Sequence, residues 1–176
     1  MSDFLARLQA YGDDTPADAP YPVERWDPPF CGDIDLTIKA DGSWRYNGTL
    51  IERPAMVRLF ARLLRRDGDA YVLVTPVEKV GITVEDVPFL AVEMTVEDHA
   101  LVFRTNTGER VTADTAHPLR FDTQDGFKPY VRVRGGLEAR LTRTLAQDLV
   151  DVIETVGGQL GVRSGGCFFV IAGAVE

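Results

Sequence analysis

The stretch from Arg53 to Phe89, RPAMVRLFARLLRRDGDAYVLVTPVEKVGITVEDVPF, constrains the fold of this chain more than any other. Met56, Leu59, Phe60, Leu63 and Leu64 recur at i, i+3, i+4, i+7 and i+8, the spacing of one helical face laid on a core. Pro54 suits the first turn, where its missing N–H would have had no intrahelical partner. Asp67-Gly68-Asp69 is expected to end the helix, and Ala70 to Thr75 reads as a short buried strand. Glu78, Lys79, Glu85 and Asp86 then stand among Val77, Val80, Ile82, Val84 and Val87. Ordinary packing does not call for so many charges between valines, so this polar block marks the edge of a candidate site.

Upstream, Phe4, Leu5 and Leu8 predict a short N-terminal helix docked on the body. Residues 12–29 are rich in Pro, Asp and Ala and read as an irregular surface segment, with Trp26 and Phe30 as its anchors. Asp33 to Ile51 reads as a β-meander. Ile34, Leu36 and Ile38 alternate with polar residues, and Asp41-Gly42 and Asn47-Gly48 are hairpin signals. Downstream, Val92, Met94 and Val96 alternate with Glu93, Thr95 and Glu97 and predict a strand, and further strands follow at Leu101–Thr105, Arg110–Ala113 and Pro129–Arg134. Leu137, Leu141, Leu145, Leu149, Val152, Ile153 and Val156 predict a long amphipathic helix, and Cys167 to Ala172 a closing apolar strand.

Each half thus holds short antiparallel strands, one helix and one closing strand. The expected fold class is α+β, with two similar small antiparallel-sheet-plus-helix units spanning residues 1–78 and 79–176. In this reading Leu50–Arg53, before the first helix, corresponds to Val131–Arg134 before the second, the mark of a duplication.

Composition limits the function. The net charge is −8, and residues 1–78 carry 9 basic and 13 acidic side chains against 10 and 14 in residues 79–176, so each half is −4. A nucleic-acid partner that needs a broad basic surface is excluded, whereas one small anion held by a few arginines is not. Cys31 and Cys167 are too few for a disulfide framework or a metal knuckle and read as thiols of a reducing compartment. The first residues lack the basic and apolar regions of a signal peptide, and no apolar run approaches the roughly 20 residues of a membrane span. The expectation is a cytoplasmic protein without a membrane partner.

The runs DGSWRYNGTLIERPAMVRLFARLL, YVLVTPVEKVGITVEDVPF, HPL and PYVRVRGGLEARLTR resemble the bacterial family Domain of Unknown Function 1285, with TPVEKVGITVEDVPF the most specific block. The resemblance implies two similar half-domains, the C-terminal one loosely like a pleckstrin-homology domain. It also implies a site between the halves for a nucleotide-like molecule and a role in signalling. It transfers no catalytic residues.

Read by their chemistry, Glu78, Lys79, Glu85 and Asp86 line a cleft in which Lys79 offers a point charge to an anion. The plainer alternative is a hinge ion pair of Glu78 and Lys79 between the halves, with Glu85-Asp86 capping a turn or short helix before Pro88. Arg58, Arg62 and Arg65 share one helical face, solvated or phosphate-binding. Arg132 and Arg134 share one side of a strand, and Arg140 and Arg143 one face of the second helix. With Arg53, this second set is expected at a seam between the units, where ligand sites concentrate. His117 joins the candidates but has no second histidine at metal-ligand spacing, so no metal is expected. Ser43 and Ser164 lack a nucleophile-elbow context. Gly157-Gly158…Gly161…Gly165-Gly166 lacks the Lys-Ser/Thr ending of a phosphate loop and reads as a hairpin with a helix C-cap.

The candidate ligand-binding residues are therefore Arg53, Glu78, Lys79, Asp86, His117, Arg132, Arg134 and Arg140, with no catalytic residue and no cofactor. The expected protein is a non-enzymatic module for binding or signalling, taking a small anionic or nucleotide-like ligand. The alternatives are a hydrolase using carboxylates such as Glu78 and Asp86, or a scaffold for a protein partner.

Overall fold

In a computed structural model of the chain, described for residues 3–13 and 20–173, the first unit is built on a parallel pair of strands distant in sequence. An N-terminal helix α1 (Asp3–Asp13) buries Phe4, Leu5 and Leu8. Strands β1 (Phe30–Ile38), β2 (Trp44–Tyr46) and β3 (Thr49–Leu50) form the expected meander. Asn47 and Gly48 both take positive φ, 49° and 79°, which matches the twist of a two-residue hairpin. Helix α2 (Pro54–Leu63) crosses to β4 (Leu64–Asp67), β5 (Ala70–Val74) and β6 (Lys79–Val84). The six strands order as β3-β2-β1-β6-β5-β4, antiparallel except for β1 beside β6.

Four expectations for this unit are corrected. The helix stops at Leu63 and does not run to Asp67, because Arg65 and Arg66 pair with Val72 and Tyr71 across a hairpin closed at Gly68. Leu64, counted on the helical face, is buried as the first strand residue. The division after residue 78 also fails: Lys79–Val84 is a central strand of the first sheet, so the units meet at Asp86 and Val87. Of the two expected anchors of the proline-rich segment, Trp26 is half-buried against Tyr11 and Tyr21, whereas Phe30 is 56% exposed. Tyr21 and Val23 are the buried anchors. Residues 14–19 of that segment lie outside the described residues.

The second unit contains β7 (Phe89–Glu97), β8 (Ala100–Thr105), β9 (Arg110–Thr112), β10 (Leu119–Asp122), β11 (Lys128–Arg134) and β12 (Leu137–Leu141). Helix α3 (Arg143–Val150) follows, then a three-stranded sheet of β13 (Ile153–Val156), β14 (Gln159–Ser164) and β15 (Cys167–Gly173). The main sheet orders as β10-β11-β12-β7-β8-β9, with only β7 and β12 parallel. Counted along each unit, this is the topology of the first sheet: two three-stranded meanders, joined so that the first and sixth strands lie parallel at the centre. The two units are thus similar six-stranded mixed sheets with few helices, an α+β fold.

The duplication lies in the strands and not in the helices. Helix α2 bridges the third and fourth strands of its sheet, whereas α3 follows the sixth. The expected match of Leu50–Arg53 with Val131–Arg134 is therefore wrong, since β3 corresponds to β9 and β11 to β5. The expected long second helix is likewise only Arg143–Val150. Leu137, Ala139 and Leu141 satisfy a two-residue period, and all three are buried as β12. The Thr142 hydroxyl accepts the Leu145 N–H and starts the helix there. Gly157 and Gly158, both at positive φ, close the β13–β14 hairpin and do not cap a helix.

The expected strand is present as β7, but its buried face is not the Val92, Met94, Val96 side of the alternation. A bulge between Ala91 and Glu93 breaks the alternation, Phe89 and Ala91 are buried, and Val96 is 67% exposed. No helix among the described residues is long and apolar enough to cross a membrane.

Candidate functional site

Helix α3 presents two stripes. Leu145, Ala146 and Leu149 are buried on its inner side, where it packs against β7 and β12. Arg143, Ala146, Gln147 and Val150, at i, i+3, i+4 and i+7, face a groove of about 560 Å³ that lies wholly within the second unit. Leu90 on β7, Arg140 and Leu141 on β12, and Phe127 and Lys128 complete its lining.

The groove has an apolar body and a cationic rim. Leu90, Leu141, Ala146, Val150 and Phe127 supply the body, and the Phe127 ring is steadied by stacking on Phe121 at 5.8 Å between centroids. Arg140, Arg143 and Lys128 supply the rim. Lys128 has Asp125 at 3.9 Å, and Arg143 has no ion-pair partner among the described residues. Among the described residues no acidic side chain lines the groove. Three cations beside an apolar surface favour an anion that also carries apolar area.

Of the eight sequence-derived candidates, Arg140 alone lines this groove. In the first unit, Glu78 accepts from Arg7 through both carboxylate oxygens, at 3.1 and 3.0 Å. Lys79 donates to Asp67 at 3.1 Å, so the two adjacent residues are engaged with different partners and not with each other. Glu85 accepts the Ala40 N–H at 2.8 Å and pairs with Lys39, whose hydrogen bond is the main cause holding its carboxyl below the usual range. Asp86 is half-buried at the end of the unit, and Arg53 is exposed as the N-cap of α2.

In the second unit, Arg134 donates to Glu109 at 3.3 Å through two nitrogens and lies over the Phe89 ring. Arg132 is exposed on β11 opposite Glu138. His117 Nδ1 sits 3.0 Å from Asp114 Oδ1, which also accepts the backbone N–H groups of Ala116 and His117. Slight burial opposes ionisation of Asp114, but these bonds outweigh it and keep its pKa below the ordinary value. Arg140 and Arg143 do come together, across the strand–helix junction at Thr142 and not on one helical face. Among the described residues no three His, Cys, Asp or Glu side chains gather as a metal-holding group.

Sequence reasoning missed Leu90, Phe127, Lys128, Gln147 and Val150. The helical spacing of Arg143, Ala146, Gln147 and Val150 was available as a signal, but an outer stripe of mixed polarity has no contrast in a sequence. Phe127 and Leu90 reach the groove only through strand pairing.

Two mixed six-stranded sheets of one topology, the second bearing a cation-rimmed groove under its helix, define a duplicated α+β protein. The chain belongs to the DUF1285 family. Residues 21–87 match its N-terminal domain of unknown function and residues 88–171 its C-terminal domain. A crystal structure of a DUF1285 family protein from Silicibacter pomeroyi DSS-3 is similar over 94% of both chains, with 44% identity and a TM-score of 0.87. A DUF1285 family protein from Shewanella baltica OS155 is 31% identical, with a TM-score of 0.55 over 66% of this chain and 90% of that one. No match is found among curated proteins.

Proposed function

We propose that the protein is a non-enzymatic module that binds a small anionic ligand in the groove beneath α3. The carrying observation is the meeting of Arg140, Arg143 and Lys128 around one apolar concavity with no acidic lining residue among those described. Its volume of about 560 Å³ lies inside the range of roughly 300–1,000 Å³ common to small-molecule sites. A nucleotide-like molecule is one member of this ligand class, and a signalling role would consist of reporting the ligand's level. Free thiols at Cys31, which is exposed, and Cys167 support a reducing, cytoplasmic setting.

A thermal-shift screen of the full chain against organic anions tests the reading. A ligand at 100 times its Kd adds about 2.7 kcal/mol of stability. The expected result is a rise in Tm with at least one anion, lost in Arg143→Ala while the variant keeps its circular dichroism spectrum. No rise with any anion, or a rise unchanged in both Arg143→Ala and Lys128→Ala, removes the groove as the site.

A further inference from the structure

The same groove narrows the ligand's chemistry, and this step rests on the groove being a ligand site. We infer that its ligand is an acyl-chain carboxylate, with the chain along the apolar body and the carboxylate at the cationic rim. Apart from the three cations, the polar side chains lining the groove are Thr142 and Gln147. The Thr142 oxygen already accepts the Leu145 N–H at 3.4 Å as the cap of α3, so that hydroxyl is left chiefly to donate. Among the described lining side chains the Gln147 amide oxygen is then the uncommitted acceptor for the donors of a polar heterocycle. A nucleobase carries both donors and acceptors, and each one buried without a partner costs affinity. An acyl chain asks for no hydrogen bonds.

The apolar side is also laid out for a chain. Leu90 pairs with Arg140 and Leu141 with Ala91, so the two leucines stand one step apart on adjacent parallel strands and face opposite sides of the sheet, while Ala146 and Val150 follow one another along the helix. Small Ala146 leaves room between the helix and the strands, and Val150 is apolar yet 51% exposed. A chain lying along this line would cover Val150 and the outward face of Phe127. At the rim, Arg143 offers a forked guanidinium group suited to a carboxylate, with Arg140 and Lys128 adding positive charge to the lining.

Isothermal titration of the full chain with hexanoate, octanoate and decanoate tests the inference, with acetate, decanamide and AMP as contrasts. Saturable one-to-one binding is expected, tightening about fourfold per added methylene, the factor that corresponds to roughly 0.8 kcal/mol of burial. Acetate and AMP should give no heat, and decanamide should bind at least tenfold more weakly than decanoate. Val150→Glu, at an exposed helix position, should abolish decanoate binding with Tm unchanged. Arg143→Ala should weaken it about tenfold. Affinity that ignores chain length, or AMP binding more tightly than decanoate, overturns the acyl inference and leaves the anion-binding module standing. Silence toward every probe overturns both.

Discussion

Arg65 holds Asp67 in a two-point ion pair, Nε to Oδ1 at 2.7 Å and an Nη to Oδ2 at 2.9 Å, while its other terminal nitrogen donates to the carbonyls of Val23 and Trp26 at 2.7 Å each. One side chain, only 7% exposed, therefore joins β4 to the segment that precedes the first sheet. Truncation would leave two inward-facing carbonyls and a carboxylate with Lys79 alone. Arg65→Ala should cost about 2–3 kcal/mol in chemical denaturation. Arg65→Lys should recover less than half of that, since an ammonium cannot reproduce the fork. The Val23–Trp26 region should become the first site of limited proteolysis. Loss of stability without new cleavage there would show that the carbonyl contacts contribute nothing.

The same pair sets a pH dependence. Hydrogen bonding from Arg65 is the main cause lowering the Asp67 pKa below its ordinary 3.8; burial opposes it, and hydrogen bonding from Lys79 adds to the lowering. A depressed carboxyl contributes stability above its unfolded pKa and loses it as pH falls through the folded value. Wild type and Asp67→Asn should therefore differ by a constant amount above about pH 5 and converge below about pH 4. The pH-dependent part should be on the order of 1 kcal/mol and shrink with salt, because Asp67 is 34% exposed. Parallel curves for the two proteins down to pH 2.5 would contradict it.

Ser164, fully buried in β14, receives the Leu101 N–H at 2.8 Å and donates to the Ala113 carbonyl at 2.7 Å. It fastens the three-stranded sheet to the main sheet of the second unit. Ser164→Ala should cost about 1–3 kcal/mol by stranding both backbone groups. Gly161 offers an independent probe of the same sheet. A Cβ there would fall 2.4 Å from the Phe169 carbonyl oxygen and 2.6 Å from the Phe168 ring. Gly161→Ala should cost about 1–3 kcal/mol through overpacking. Hydrogen exchange across residues 153–173 should speed up in both variants, and unchanged protection would refute the fastening role.

The sequence disclosed local conformation better than partnership. Turn chemistry was legible, since Asn47-Gly48 closes a hairpin at positive φ as its residue types require. Leu137 and Leu141 were not, because a four-residue interval satisfies both a helix and a strand, and only Ala139 between them breaks the tie. The pairing of Phe30 with Lys79 across the centre of the first sheet joins residues 49 apart, and no local pattern encodes it. The same holds for the candidate site. Charges were visible at Glu78 and Lys79, but not that Arg7 and Asp67 would take them up. The groove depends on Leu90 lying beside Arg140, a register set by the parallel pairing of β7 and β12.

One turn departs from the residue types its backbone favours. Asp98 and His99 close the β7–β8 hairpin with Glu97 facing Ala100, and both take positive φ, 49° and 63°. The equivalent turns at 135–136, 157–158 and 165–166 use Gly-Gly. Left-handed backbone costs an L-residue about 1–2 kcal/mol, while glycine gives back about 0.5–1 kcal/mol through the freedom of its unfolded chain. His99→Gly should therefore stabilise the protein by about 0.5 kcal/mol, and His99→Val, with a branched Cβ, should destabilise it by at least 1 kcal/mol. The His99 carbonyl accepts the Gly165 N–H at 3.3 Å, a backbone bond that both substitutions retain. Paired urea titrations at neutral pH measure the difference. A His99→Gly protein less stable than wild type would mean that the imidazole itself makes a contribution exceeding the strain of its backbone.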